Sequence, residues 1–165
     1  MDKYLIYMRS KLNRDTSKSV TPGTYMVYGV VGALFALALT VLFNALGLVE
    51  AESYQKVAKS QFGVFESPVM MMLLYCVFTP IVEEVVFRFV IYNSLNYAIK
   101  KDLWALMLSS SLFGIYHMNP VQGVYAFLMG VVICYCYRRS ESIFVPIIVH
   151  ASANLIALAY TIFFL

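Results

Sequence analysis

The amino-acid sequence predicts an all-α protein that crosses a membrane several times. Hydrophobic residues make up 61% of the 165 residues and charged residues only 13%, which leaves too little polar surface to cover a water-soluble globule. The apolar residues fall into five segments, each near or above the roughly 17 to 25 residues that a helix needs to cross the hydrocarbon. We therefore expect a polytopic membrane helix bundle with about five transmembrane helices.

The first predicted transmembrane helix covers residues 24–48 and follows a basic N-terminal segment, residues 1–23. Its apolar run exceeds the roughly 7 to 15 apolar residues of a cleaved signal peptide, so we expect it to remain as a membrane helix. The leading segment mixes aromatic, aliphatic and basic residues, which suits a segment lying on the inner leaflet.

The second predicted span is longer than one straight crossing. It begins near Ser67 and can continue helically to about Ile99, and Pro80 supplies a place to bend. Asn119 and Pro120 mark a tight turn after the third span, which is short. The remaining spans cover residues 103–117, 121–137 and 142–164.

Basic residues predict the orientation, because Lys and Arg concentrate on the cytoplasmic side of membrane proteins. Most of them fall on one side of the bundle: Lys3, Arg9, Lys11, Arg14, Lys18, Lys100, Lys101, Arg138 and Arg139. On the other side, two basic residues are diluted by acidic ones: Lys56 and Lys59 with Glu50, Glu52 and Glu66. We expect an integral protein of a bacterial cell membrane, with its N-terminus cytoplasmic and its C-terminus external. The basic residues lie in loops rather than along a groove, so no nucleic-acid partner is expected.

Two adjacent glutamates, Glu83 and Glu84, lie with Arg88 inside the second apolar run. An ionisable side chain in the bilayer interior costs about 2.5 to 3.5 kcal/mol on insertion scales, so it is expected to face a partner or a water-filled cavity. Glu84 and Arg88 are four residues apart and share one helix face, which suits an ion pair. Glu83 points about 100° away and is left available.

Three more polar residues lie in or at the ends of later spans. His150 and Asn154 are four residues apart and can project into one cavity, and Phe113 and His117 repeat this spacing. Convergence of these side chains with Glu83 would build a site that activates water.

The chemistry of such a site has two forms. A carboxylate between apolar walls can act as a general base on water, while imidazole and amide groups hold the water or stabilise an oxyanion. Alternatively, Glu83, His117 and His150 could hold a catalytic divalent metal such as zinc. The residues alone leave both forms open.

Three ordered motifs resemble those of a known family. They read EEVVFR, FGIYH and HASAN, at Glu83–Arg88, Phe113–His117 and His150–Asn154. In type, order and spacing they are similar to the CPBP family, the CAAX prenyl protease and bacteriocin-processing intramembrane proteases, also called the Abi family. The resemblance implies a catalytic core of about four helices, residues 67–165. The family usually has Gly where this chain has Phe89.

The resemblance also implies roles for the site residues. It makes four of them catalytic: Glu83 as the base, His117 beside it, and His150 and Asn154 as groups that orient water or stabilise the oxyanion. It makes three others supports or substrate contacts: Glu84, Arg88 and Phe113. Both metal-assisted and metal-free mechanisms are described for the family, so the expected cofactor is either none or a divalent metal.

The chain is therefore expected to be an intramembrane endopeptidase that cuts a peptide or protein substrate at the membrane, such as a prenylated protein or a leader peptide. The prenyl proteases of the family suggest a cavity that opens to the cytoplasm. One alternative is a non-catalytic membrane protein, such as a bacteriocin self-immunity or regulatory partner. The other is a proton or ion relay, because buried Glu and His residues also serve transport.

Overall fold

The computed structural model describes residues 2–62 and 67–164, and all regular structure within these ranges is helical. The acidic residue Glu66 and the last residue of the predicted core lie outside the described residues. Seven helices follow one another: α1 (Lys3–Ser17), α2 (Pro22–Ala45), α3 (Glu52–Phe62), α4 (residues 68–99), α5 (Asp102–Tyr116), α6 (Pro120–Ser140) and α7 (Phe144–Phe164). The predicted all-α membrane helix bundle is confirmed.

Four helices in the described part of the chain are long and apolar enough to cross a membrane, where five were predicted: α2, α4, α6 and α7. The predicted third span forms α5, but its 15 residues extend only about 22 Å at 1.5 Å per residue. This is less than the roughly 30 Å hydrocarbon thickness of a bilayer. The helix cannot be longer because the left-handed residues Lys100 and Met118 flank it, with φ angles of 56° and 53°.

Helix α4 is irregular in two places. Leu74–Phe78 and Val85–Tyr92 are π-helical, and the α-helical turn between them, Thr79–Glu84, carries both glutamates. Pro80 lies at the start of this turn, where the sequence predicts a bend. π-Helical turns within an α-helix are rare overall but frequent at functional sites. Such a turn also changes which residues share a helix face.

Glycines let two pairs of helices pack closely. A Cβ atom at Gly32 of α2 would lie 2.4 Å from the backbone oxygen of Val149 in α7. A Cβ atom at Gly114 of α5 would lie 2.6 Å from the backbone oxygen of Gly123 in α6. Each contact lies close in sequence to one of the two histidines, so the close packing fixes the depth of both in the bundle.

Helix α1 packs against one end of the bundle. Asp15 is fully buried there, and it accepts a hydrogen bond from the Tyr137 hydroxyl group. The Asn93 side chain donates to the same hydroxyl at 2.8 Å, and the Ile143 N–H donates to the Asp15 carbonyl oxygen at 3.4 Å. The α6–α7 turn therefore lies beneath α1.

The same end of the bundle gathers the junctions that carry most of the basic residues. The Tyr4 hydroxyl group of α1 lies 2.7 Å from Ser94 Oγ near the end of α4. Arg138, at the end of α6, forms an ion pair with Asp102 at the start of α5. Helix α3 lies at the opposite end, where the Asn119 side chain donates to the Ser53 carbonyl oxygen at 3.1 Å.

We predict that Gly32→Ala destabilises the bundle, whereas Gly23→Ala does not. The added methyl group at position 32 would collide with the α7 backbone, and overpacking of this kind costs about 1 to 3 kcal/mol. A Cβ at Gly23 meets no heavy atom within 4 Å. Unfolding of both variants in detergent micelles checks this, and equal midpoints would contradict the close α2–α7 contact.

Candidate active site

The centre of the site is a buried ion pair on α4. Glu84 and Arg88 are both completely buried, and Arg88 Nε lies 3.0 Å from Glu84 Oε2. The guanidinium carbon lies 4.4 Å from the centre of the Phe113 ring, a cation–π contact. Arg88 Nη2 also donates to the Gly130 carbonyl oxygen at 3.5 Å. The spacing of four residues correctly predicts this pairing.

His150 connects the two glutamates. Its Nδ1 atom lies 2.7 Å from Glu84 Oε1, and its Nε2 atom lies 3.7 Å from Glu83 Oε2. The sequence predicts that Glu84 pairs with Arg88 and that the histidines meet Glu83. This prediction is incomplete, because His150 also contacts Glu84. A carboxylate has two oxygens, and those of Glu84 bind separately, one to Arg88 and the other to His150.

His117 lies at the C-terminal end of α5 with a fixed ring orientation. Its Nδ1 atom is 2.9 Å from the Phe113 carbonyl oxygen. A carbonyl oxygen can only accept, so Nδ1 carries the proton and Nε2 of the neutral ring has a free lone pair. The Phe113 ring packs edge-on against both histidines, with ring centres 5.0 Å from His117 and 5.6 Å from His150.

Asn154 is held by the irregular part of α4. Its side-chain amide donates to the Tyr75 carbonyl oxygen at 2.7 Å. In this π-helical stretch the Thr79 N–H donates to the Leu74 carbonyl, five residues back. The corresponding donor for Tyr75 would be residue 80, which is Pro and has no N–H. The Asn154 amide therefore satisfies a carbonyl that the helix itself cannot.

A cavity of about 440 Å³ adjoins this network. Its lining includes all four residues that the sequence predicts as catalytic: Glu83, His117, His150 and Asn154. It also includes polar residues that were not predicted: Thr40, Thr79, Tyr116, Gln122 and Tyr125. These carry no charge and lie in or at the ends of apolar helices, so no local pattern distinguishes them from packing or interfacial residues.

Glu84, Arg88 and Phe113 lie behind the cavity wall. The two charged residues have no exposed side-chain surface, and Phe113 is 2% exposed. Their burial leaves no side-chain surface for direct contact with a substrate in the cavity.

The donor groups do not fit a metal centre with three protein ligands. Within residues 2–62 and 67–164, no three His, Cys, Asp or Glu side chains come together as a ligand set. Glu83 and His150 face each other, and Nδ1 of His150 is bound to Glu84 and Nδ1 of His117 to a carbonyl oxygen, so Nε2 is the one nitrogen of each ring that remains for a further ligand.

Comparison with known proteins identifies a bacterial relative. The protein named "Putative membrane peptidase YdiL" of Bacillus subtilis (strain 168) is 27% identical over 138 residues. The match covers 80% of this chain and 54% of the relative, so the chain spans about half the length of the curated relative it matches. No solved structure matches the chain significantly.

A family match covers the part of the chain that carries the site. The sequence profile described as "Type II CAAX prenyl endopeptidase Rce1-like" matches residues 65–156. This is more than half of the chain, and it includes the three motifs and all four cavity-lining residues predicted as catalytic. The resemblance seen in the motifs is thereby confirmed, and the chain belongs to the Rce1-like family of type II CAAX prenyl endopeptidases.

Proposed function

We propose that the chain is an intramembrane endopeptidase in which Glu83 activates the water that hydrolyses a peptide bond. The observation that carries this proposal is the position of His150 between two carboxylates at the wall of the cavity, 2.7 Å from Glu84 and 3.7 Å from Glu83. A structural ion pair needs neither a second glutamate nor a cavity beside it. The substrate is a peptide or protein at the membrane, with a leader peptide or a prenylated protein as the candidates.

Glu83 is the general base. Unlike Glu84 it lines the cavity, so its carboxylate can meet water and a substrate there. It accepts a proton from water, and the hydroxide oxygen forms a bond to the carbonyl carbon of the scissile peptide. The same proton then passes to the amide nitrogen as the C–N bond breaks, which leaves a carboxylic acid and an amine.

His117 and Asn154 orient the reacting groups. The free lone pair on His117 Nε2 can accept a hydrogen bond from the water that Glu83 deprotonates. The Asn154 amide has two N–H groups, and one of them donates to the Tyr75 carbonyl oxygen. The other can donate to the oxyanion of the tetrahedral intermediate, which is the role of an oxyanion-hole side chain.

Glu84 is a positioning residue. By binding His150 Nδ1 it fixes the plane of the imidazole ring and directs Nε2 towards Glu83. A buried carboxylate that orients a histidine acts in the same way in the catalytic triad of serine proteases. Arg88 in turn compensates the charge of Glu84.

Substitution of the two glutamates should separate these roles. Glu83→Gln should lower the rate of cleavage by roughly 10² to 10⁴-fold, because it removes the base, while the unfolding midpoint stays unchanged. Glu84→Gln should lower both activity and stability, because loss of one partner of a buried ion pair costs about 3 to 5 kcal/mol. Cleavage of a quenched-fluorescent peptide library by the purified variants, with unfolding measured in parallel, checks both.

Unchanged cleavage in the Glu83→Gln variant would overturn the proposed mechanism. Glu83→Asp is the matched control, because it keeps the carboxylate and should retain more activity than the glutamine variant. A non-catalytic immunity or regulatory partner would keep its biological effect in the Glu83→Gln variant. A relay would instead lose ion flux across proteoliposomes without any change in peptide cleavage.

Cleavage should also persist when divalent metals are removed. The described side chains offer no set of three metal ligands, and in the proposed mechanism Glu83 itself takes the proton from water. The purified protein is incubated with EDTA or 1,10-phenanthroline and then assayed against the same library. Loss of activity that returns on addition of zinc would contradict the metal-free site.

A further inference from the structure

We propose that a second pocket, at the end of the bundle that carries α1, binds the phosphate group of an anionic ligand at the membrane surface. The pocket has a volume of about 490 Å³, and residues of α1, α4, α5 and α6 contribute to its wall. None of the described residues that line it also lines the cavity of the candidate active site. Its ligand is therefore distinct from a peptide substrate, and binding there needs no catalysis.

The wall of this second pocket is unusually polar for an apolar bundle. Each described side chain that lines it is either charged or carries a hydroxyl or amide group. Four of the charged ones are basic and two are acidic, so the wall has a net charge of +2: Lys11, Arg14, Arg138, Arg139, Asp102 and Glu141. Basic residues of α1 thus face the same space as basic residues from the last turn of α6.

The carboxylates of the pocket are already compensated. Glu141 forms ion pairs with Arg14 Nη1 at 3.0 Å and with Lys18 Nζ at 3.2 Å. Asp102 forms an ion pair with Arg138. These contacts use both acidic side chains of the wall, so the positive charge that remains belongs to other residues.

Lys11 and Arg139 are the surplus cations of the pocket. Neither forms an ion pair with a carboxylate of residues 2–62 or 67–164. The Lys11 ammonium instead lies 5.6 Å from the centre of the Tyr7 ring. Burial and the neighbouring Arg14 guanidinium lower the pKa of Lys11 below the usual value for lysine. A bound anion would compensate both surplus charges.

A phosphate group matches the donors that these residues offer. The Arg139 guanidinium can bind two phosphate oxygens through parallel N–H groups, and the Lys11 ammonium adds a point charge with three donors. Tyr135 also lines the pocket, and its side chain is exposed, so its hydroxyl group can donate as well.

The surroundings of the pocket favour a phospholipid headgroup as the source of the phosphate. Leu5, Ile6 and Leu12 of α1 are exposed apolar side chains. Such side chains on a helix beside a membrane-spanning bundle are stabilised when the helix lies on the lipid surface. Basic residues next to such a helix attract anionic headgroups. A soluble phosphate compound would meet the same cations without using the apolar side chains of α1.

Titration of the purified full chain with two lipids tests the proposal. Native mass spectrometry measures the binding of phosphatidylglycerol, which is anionic, and of phosphatidylcholine with the same acyl chains, which has no net charge. The wild-type chain should bind phosphatidylglycerol more tightly. Lys11→Gln together with Arg139→Gln should lower that affinity by roughly 25-fold, because each basic residue at a membrane surface contributes about fivefold to the binding of anionic lipid.

The matched control is Lys3→Gln together with Arg9→Gln. Both residues are exposed on α1 and neither lines the pocket, so this variant loses the same two charges from the same end of the bundle. It should keep most of the affinity for phosphatidylglycerol. Equal losses of affinity in the two double variants would overturn the proposal, because they would show attraction to the bundle end as a whole.

Inorganic phosphate tests the soluble source, by isothermal titration calorimetry of the protein in detergent micelles. Phosphate binding that disappears in the Lys11→Gln, Arg139→Gln variant, together with equal affinity for the two lipids, would support the pocket and identify a soluble phosphate compound as its ligand. Equal affinity for the two lipids without any binding of inorganic phosphate would overturn the proposal.

Single substitutions cover the case in which the pocket double variant does not fold. The Arg139 and Arg9 side chains are both exposed, so replacing either by Gln removes no buried contact. Arg139→Gln should lower the affinity for the pocket ligand by about fivefold, and Arg9→Gln should lower it less. Equal affinities in these two variants would contradict a site at the second pocket.

Discussion

The structure depends on the need to compensate charge inside a membrane. Glu84 and Arg88 have no contact with solvent, and a charge in that position is costly unless neighbouring groups compensate it. The surrounding elements supply several such partners, although Arg88 Nε and Nη1 make no hydrogen bond among the described residues. Phe113 supplies a ring face, Gly130 supplies a carbonyl oxygen, and His150 takes the second oxygen of the glutamate. The requirement to satisfy one ion pair thus brings α5, α6 and α7 onto α4, and the cavity lies beside the point where they meet.

Two further constraints set the position of the candidate site along the bundle. Gly32 and Gly114 allow backbones to touch, so neighbouring helices cannot slide past one another without a clash. Pro80 withholds a hydrogen-bond donor from the Tyr75 carbonyl, and the Asn154 amide takes its place. The hydrogen bond that α4 cannot form within itself is therefore replaced by a specific hydrogen bond from α7. We therefore expect substitutions at Gly32, Gly114 and Pro80 to alter the candidate site, although none of these three residues lines the cavity.

Much of the fold and four of the cavity-lining residues could be predicted from the sequence, because they depend on local patterns. The long apolar runs mark the helices, and the spacing of four residues correctly pairs Glu84 with Arg88. The second contact of Glu84, with His150, could not be predicted, because it depends on the relative depth of two helices. That depth depends on contacts between elements far apart in the sequence, such as Gly32 against Val149 and Asp15 against the α6–α7 turn. The sequence analysis did not predict helix α3, because its 11 residues contain no long apolar run. The catalytic roles themselves stay predictions.

The buried chain of hydrogen bonds from Asn93 through Tyr137 to Asp15 has a consequence for the energy balance of the cell. A water-filled cavity that reaches ionisable groups in the middle of a membrane shortens the insulating path that protons must cross. An energised membrane can tolerate such a thinning only if the remaining half resists leakage. In this chain the buried side chains of Asn93, Tyr137 and Asp15 lie in the remaining half, and the pocket at that end shares no described lining residue with the cavity. Helix α1, which supplies Asp15, thereby belongs to the barrier between the cavity and the opposite membrane surface.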